Sequence, residues 1–437
     1  MHNEKYIFFE EMTGMQYGQM NHSQLEEEYA RTKAAYEAFC TLGLSLNLAR
    51  GKPSAEQLDL SNAMLHTLDD ENFVCDGVDV RNYGGLDGLP SCKALFADIL
   101  GVRPENVVIG GNASLNLMYD LIAKAFTHGL KDSPRPWSRE PVVKFLCPCP
   151  GYDRHFNLTQ SFGVELISVP LGPDGPDMDQ VERLVQDPAV KGMWCVPKYS
   201  NPDGYIYSEE TCRRIAAMPT AAPDFALMWD NAYCIHEFEG EFVPFTEMLS
   251  LCAENGHPDR VYEFASTSKV TFAGAGVSCI AASVDNIRYL LGMLTFQTIG
   301  FNKLNQLMHV RFLKDKAQTL EHMKRQAVLL KPRFDAVFEQ LDRTVAPTGI
   351  ANWNRPRGGY FISLNAMPGT AKRTLALCKQ AGVTMTGAGA TFPYGVDPQD
   401  SNIRIAPSYP TLPELTKAME LFCTCLRLAA LEKLLGR

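Results

Sequence analysis

Apolar positions along this chain fall into two patterns that alternate. Short continuous apolar runs at 107–109, 142–147, 164–169, 193–196, 225–229, 262–265 and 278–282 are separated by stretches with helical spacing. A strand covered on both faces has no polar side to show, so this alternation predicts an α/β fold with a mostly parallel, seven-stranded sheet between helices. In such folds ligands bind beyond the carboxyl ends of the strands, which makes the residues just after each run the ones that matter.

The flanking regions read differently. Ser23 and Glu26 have capping-box spacing ahead of Leu25, Tyr29, Thr32, Tyr36 and Phe39, predicting an N-terminal helix that runs to about Gly43. Residues 303–341 are helical in pattern, interrupted only by Pro332, which lacks a backbone donor and is expected to kink or end the helix. The domain joint is placed there. Beyond it come a strand at 358–361, a helix over 371–381, a strand at 403–406 and a last helix opened by Thr411 and Glu414, together a smaller α+β domain. The expected division is an N-terminal helix and segment over 1–60 packing on the small domain, a large domain over 61–330 and a small domain over 331–437.

Composition narrows the function. A chain of 437 residues with 46% hydrophobic content buries a large core. Its formal net charge of −9 comes without a clustered basic face, so nucleic acid is not an expected partner. Thirteen cysteines without C-x-x-C spacing point away from a disulfide framework or a zinc site and toward a reducing, cytoplasmic setting. Cys147-Pro148-Cys149-Pro150 reads as a strand end entering a Pro-bounded loop, not as a metal or redox motif. The apolar run at 6–9, bracketed by Lys5 and Glu10, is too short for a signal core or a membrane span, so neither targeting nor a membrane partner is expected.

Four polar clusters stand just after predicted strands. Gly110-Gly111-Asn112-Ala113-Ser114 opens a helix, where free N–H groups and the positive dipole end suit a phosphate. Asn201-Pro202-Asp203-Gly204 is a good β-turn whose Asn amide is also able to donate to a ligand oxygen. Asp230 begins Asp230-Asn231-Ala232-Tyr233, placing a carboxylate where it would hold a pyridinium proton and a phenol three residues on. Ser266-Thr267-Ser268-Lys269 puts a lysine at a strand end, where partial desolvation makes it a nucleophile for an aldehyde. Each alone is a common cap, turn or surface tetrad. Their shared order, with intervals of about one strand-helix unit between Asn201, Asp230 and Lys269, is what points to pyridoxal 5′-phosphate (PLP) chemistry.

With those residues in place, the chain resembles the fold-type-I PLP aminotransferases of classes I and II from about Leu46 to Pro410. Asn47-Leu48-Ala49-Arg50-Gly51-Lys52-Pro53, the Gly-Asn-Ala-Ser-Leu cradle and Ser268-Lys269-Val270-Thr271-Phe272-Ala273-Gly274-Ala275-Gly276 are similar to the bacterial type Ic aspartate aminotransferases. The resemblance implies that Lys269 forms the Schiff base with PLP and shuttles the substrate proton. It implies that Asp230 holds the pyridine nitrogen and that Asn201 and Tyr233 bond the phenolic oxygen. Gly111, Asn112, Ala113, Ser266 and Ser268 would bind the phosphate, and Tyr152 would stack on the ring. Tyr83 would reach the phosphate of a neighbouring subunit in a homodimer with interfacial active sites. Arg404, with Gly51 and Asn201 beside it, would grip the substrate α-carboxylate.

One position departs from the family. Eight residues after the lysine, where an arginine usually pairs with the phosphate, stands Val277. Lys303 is a candidate to replace that cation across a dimer interface. For the side-chain carboxylate of a dicarboxylic substrate the chain offers Arg50, Lys52, Lys303 and Arg357 without indicating which faces the site. The reaction the resemblance implies is L-aspartate plus 2-oxoglutarate to oxaloacetate plus L-glutamate, in two ping-pong halves. The alternatives are transamination of aromatic or branched amino acids, a PLP-dependent lyase, and a non-enzymatic PLP effector-sensing domain. The last of these carries a DNA-binding domain ahead of the PLP fold, for which fewer than fifty residues before Arg50 leave little room.

Overall fold

The computed structural model describes residues 16–69 and 71–437, so the apolar run at 6–9 lies outside the described residues. Its main sheet contains β1 (Val107–Ile109), β2 (Lys144–Cys149), β3 (Glu165–Gly172), β4 (Gly175–Pro176), β5 (Val190–Cys195), β6 (Ala226–Asp230), β7 (Val261–Ser266) and β8 (Ser278–Ala282). The strand order is β1-β8-β7-β6-β5-β2-β3-β4. Neighbours from β7 through β3 pair in parallel, and β8 runs antiparallel to both β7 and β1. All seven expected strands are present. The eighth, β4, is a two-residue return antiparallel to β3, too short to leave an apolar run in the sequence.

The apolar runs are continuous because helices cover both faces: every residue of β5 and β6 is buried. Packing there is close enough to require a glycine, since a Cβ on Gly192 would lie 2.4 Å from Phe145 Cζ and 2.6 Å from the Ala226 carbonyl oxygen. Strands β2, β3, β6 and β7 reach further toward their carboxyl ends than the runs suggested. Asp230 and Ser266 are the last residues of β6 and β7, which sets them firmly in the sheet at its catalytic edge.

A second layer is built around the antiparallel sheet β9 (Ala351–Trp353), β10 (Ile362–Ala366) and β11 (Asn402–Ile405). Leu364 and Ile405 from this sheet share a core with Leu25 and Phe39 of α1 (His22–Cys40) and with Phe422 and Leu426 of the C-terminal helix (Leu412–Leu434). The N-terminal helix is pinned to the C-terminal one by buried Glu28, which accepts from Tyr17 Oη at 2.9 Å and pairs with Arg427. A short parallel pairing of Leu46–Asn47 with Val383–Thr384 then leads the chain toward Arg50-Gly51-Lys52.

Four expectations are corrected. The cap of α1 is Asn21 with Gln24, each side chain accepting from the other's amide (3.0 and 2.9 Å), not Ser23 with Glu26; Asn caps as well as Ser does. The helical stretch from Lys303 is broken at Lys314 (φ 64°), and Asp315 caps the next helix by accepting from the Gln318 amide at 2.7 Å. That helix, Lys316–Thr344, does not end at Pro332 but continues past it. Proline removes one donor, but Val328, whose carbonyl loses its partner, is exposed to water, while Phe334, Val337 and Leu341 further on are buried. The joint expected at Pro332 therefore falls inside a helix. Lastly, 358–361 is not a strand: Gly358 passes so close to Tyr199 that a Cβ would sit 2.4 Å from its ring, Gly359 has φ +82°, and the strand begins at Ile362.

Candidate active site

The carboxyl ends of β1, β2, β5, β6 and β7 open into a cavity of about 580 Å³. Ala113, Tyr152, Asn201, Asp230, Tyr233, Ser266, Ser268, Lys269, Gly51 and Arg404 line it, so residues spread over most of the chain meet at one edge of the sheet.

Asp230 is buried. Its Oδ2 lies 2.9 Å from His155 Nε2, and its Oδ1 has no partner among the described residues. A buried carboxylate oxygen without a donor is costly unless a ligand supplies one. His155 is itself fixed, stacked on Trp194 with centroids 4.2 Å apart, and Trp194 Nε1 donates to Thr159 Oγ1 at 2.7 Å. Tyr152 sets its ring edge-on to His155 at 4.9 Å, and burial pushes its phenol up to about 12. The histidine was not singled out from the sequence. The available signal was helical spacing, because Tyr152 and His155 are three residues apart at the start of the helix Asp153–Ser161.

Lys269 lies partly buried beyond β7, its Nζ 5.1 Å from the Tyr233 ring centroid and 6.0 Å from that of Tyr360. Burial lowers its pKa, against the opposing pull of Asp230, so more of the amine is neutral than in an exposed lysine. Tyr233 is buried. Nearby His236, buried with neither ring nitrogen partnered, is driven down to about 3 by burial and by Lys269, and stays neutral.

The phosphate-sized end of the cavity is the start of the helix Ser114–Thr127. Ala113 caps it without a side-chain hydrogen bond, and with the Asn116 amide donating to Ala113 O at 3.1 Å the amides of Ser114 and Leu115 are left for a ligand. Ala113, Ser114 and Leu115 form the wall, all three within the Gly-Asn-Ala-Ser-Leu segment marked in the sequence. Gly111 and Asn112 stand just behind. Gly111 O accepts from the Ser278 amide and hydroxyl, both at 2.8 Å, and Asn112 O accepts from Ser268 Oγ at 3.3 Å, tying the cradle to the lysine loop. Ser266 Oγ donates to Ser268 Oγ at 3.1 Å. Val277 is buried, and its amide donates to Thr267 Oγ1 at 2.9 Å; Thr267 and Thr271 in turn meet His309 Nε2 at 3.1 and 2.8 Å. A hydroxyl and imidazole network thus surrounds the place where the family carries arginine.

Arg404, on β11, is buried and donates through Nη1 to Asp153 Oδ1 (2.9 Å) and Asn201 Oδ1 (3.2 Å), and through Nη2 to Thr386 Oγ1 at 3.4 Å. Its Nε has no partner among the described residues, so one edge of the guanidinium remains for a carboxylate. Its plane lies over Phe361 at 4.8 Å, and a Cβ on Gly51 would fall 2.5 Å from the same ring. Glycine is what lets that segment close over the site.

Two singled-out residues lie elsewhere. Tyr83 is 82% exposed and does not line the cavity. Lys303 is buried, with Nζ donating to Gly84 O at 2.6 Å. Of the four side-chain cations considered, Arg50 and Lys52 line the cavity and Lys303 and Arg357 do not; Arg154 does, and was not considered. Cys147 and Cys149 are free and buried at the end of β2, and no metal-holding cluster of His, Cys, Asp or Glu occurs among the described residues.

Behind Asp230, Asn231 Nδ2 donates to Glu263 Oε1 at 2.9 Å, and burial raises Glu263 from 4.5 to about 8. Between those values the folded protein keeps a proton that the unfolded chain has released, so stability falls as pH rises across the window. Glu263→Gln preserves the acceptor without the ionisation. Thermal melts should show it several degrees more stable than wild type near pH 8.5 and close to wild type near pH 5; a loss at the higher pH would refute this account.

Known proteins resemble this chain over most of its length. A family model described as "Aspartate amino-transferase" matches residues 20–437. The aspartate aminotransferase of Corynebacterium glutamicum is 47% identical over 401 residues, covering 92% of this chain and 93% of that protein. The solved structure of an aspartate transaminase from the same organism superposes with a TM-score of 0.94 at 45% identity, covering 96% of this chain and all of the other. LysN, an α-aminoadipate aminotransferase of Thermus thermophilus solved with N-(5′-phosphopyridoxyl)-L-leucine, has a TM-score of 0.71 at 22% identity over 93% of this chain and 98% of its own, a likeness of fold.

Proposed function

We propose, from the premise that this chain belongs to the aspartate aminotransferase family, that it is a PLP-dependent transaminase moving the amino group of L-aspartate to 2-oxoglutarate. The observation that carries the reading is one cavity holding a lysine of lowered pKa, a buried carboxylate oxygen without a donor and an arginine with an open edge. PLP, when bound, supplies an electron sink for negative charge at the substrate α-carbon. The donor set fits it. The start of the helix Ser114–Thr127, with Gly111, Asn112, Ala113, Ser266 and Ser268, takes the phosphate. Asp230 Oδ1, with its other oxygen held by His155, would accept from the pyridine nitrogen. Asn201, whose Nδ2 donates to no described group, and Tyr233 would bond the phenolic oxygen, and Tyr152 would pack on the ring.

Arg404 binds the α-carboxylate through its open edge and fixes the substrate's orientation, with the Gly51 segment closing from above. Lys269 holds the cofactor through its amine. The same amine, whose pKa burial lowers, would take the proton from the substrate α-carbon and return it during the transfer. A homodimer is part of the reading. Tyr83 (82%), Phe296 (88%) and Ile299 (63%) are large apolar side chains left exposed, and the loop at 298–300 packs against the segment after Tyr83 so closely that a Cβ on Gly300 would lie 2.7 Å from Gly84 O. Tyr83 there is free to reach a partner's phosphate. Thirteen unpaired cysteines support a reducing, cytoplasmic location.

Purified protein with PLP, L-aspartate and isotope-labelled 2-oxoglutarate should yield labelled glutamate and oxaloacetate, with the parallel initial-velocity lines of a ping-pong enzyme. Amino acid consumption without labelled glutamate would establish a lyase instead, and preference for phenylalanine or leucine over aspartate would establish a different aminotransferase.

A further inference from the structure

Resting on the aspartate reading, we propose that Arg154 is the cation that binds the side-chain carboxylate of the substrate. Five cationic side chains line the cavity: Arg50, Lys52, Arg154, Lys269 and Arg404. Lys269 is the nucleophile. Arg404 is already tied to Asp153, Asn201 and Thr386. Lys52 is engaged with the Tyr409 ring at 3.8 Å. Arg50 and Arg154 are left exposed at the cavity wall, without an ion pair among the described residues.

What separates these two is how their backbones are held. Arg154 stands in the first turn of the helix Asp153–Ser161, between two residues that are each fixed to the catalytic groups. Asp153 accepts from Arg404 at 2.9 Å, and His155 meets Asp230 at 2.9 Å. Its Cα is therefore set by bonds to both the α-carboxylate cation and the pyridine-nitrogen carboxylate, and only its own side chain is left to swing. Arg50 follows a two-residue strand; its neighbour Ala49 accepts from Thr386 Oγ1 at 2.8 Å and its own carbonyl accepts from the Lys52 amide at 3.0 Å, but neither flanking residue bonds directly to Arg404 or Asp230. The Tyr152 phenol lies in the field of both Arg404 and Arg154, and both arginines line the same cavity.

Charge balance also calls for a second cation. Asp153 offsets much of the charge of Arg404, which leaves that arginine suited to orient one carboxylate. A substrate with two carboxylates brings a second negative charge into a partly desolvated space, where an unpaired charge is costly. Arg154, one residue along the helix and on the side of its positive dipole end, supplies the match. A monocarboxylic amino acid leaves it in solvent with nothing to lose or gain, which converts one residue into a preference for short diacids.

The test uses the holoenzyme and two variants, Arg154→Leu and Arg154→Lys. With Arg154→Leu, kcat/KM for L-aspartate should fall about 100-fold, as expected for losing a charged contact, and for L-alanine less than about threefold. Calorimetric titration with unreactive succinate should show a similar loss of affinity, with butyrate unaffected. Arg154→Lys should recover part of both losses, and thermal melts establish that each variant is folded. An Arg154→Leu enzyme that keeps its aspartate preference and its succinate affinity, or that loses aspartate and alanine turnover equally, overturns the assignment while leaving the aspartate reading intact. Wild type that does not prefer aspartate over alanine defeats that reading itself, before any variant is made.

Discussion

Replacing Lys269 with alanine is expected to lower transamination by at least about four orders of magnitude, the upper range for loss of a positioned acid and base, while the protein stays folded. The side chain is partly buried, makes no ion pair among the described residues and has its pKa lowered by burial, so its removal strands no partner. The informative comparison is Lys269→Arg. Arginine keeps the positive charge and much of the length but does not deprotonate in a protein, so it should be as inactive as alanine. Activity of the arginine variant within about tenfold of wild type would mean that charge, not a transferable proton, is what position 269 supplies. Melting temperatures of cofactor-free wild type and variants, compared side by side, separate a chemical loss from a folding defect.

The second large effect is expected at Asp230. Asp230→Asn keeps the shape and an acceptor for neighbouring donors but removes the negative charge that keeps a proton on the pyridine nitrogen. Because the buried Oδ1 has no partner among the described residues, the charge has no structural duty to any of them on that side. The loss should therefore appear in kcat, by about 10³-fold, the scale measured when a preorganised electrostatic contact is removed, with a small change in cofactor affinity because the phosphate is held elsewhere. His155→Phe acts only through Asp230 and should cost far less, about tenfold. If Asp230→Asn instead released the cofactor while retaining kcat at saturating PLP, Asp230 would be an anchor and not an electronic partner.

Much of this arrangement could be read from the sequence because of how parallel sheets are built. Strands buried on both faces leave uninterrupted apolar runs, and polar residues immediately after them stand out; Gly111, Asn201, Asp230 and Lys269 are all such residues, and the structure brings the ends of their strands to one cavity. What stayed hidden depends on pairing across long sequence distances. His155 meets Asp230 across 75 residues and Arg404 meets Asp153 across 251, and no local pattern encodes either contact. Arg154 was missed for the same reason, since its place becomes meaningful only once both of its neighbours are seen to be tied. The errors of element assignment have local causes. The helix runs through Pro332 because downstream burial of Phe334 and Leu341 outweighs one missing donor, and its actual break at Lys314 is marked only by the capping Asp315. Tyr83 is exposed in the single chain, and the role proposed for it requires a second copy.

The claim on which the rest depends is that Lys269 holds the cofactor. Borohydride reduction of the native holoenzyme, followed by digestion and peptide mass mapping, reads this directly. The account predicts a phosphopyridoxyl group on the peptide that contains Lys269 and on no other, absent from the Lys269→Ala protein; the same mass on a peptide carrying Lys198 or Lys303, with Lys269 unmodified, would contradict it.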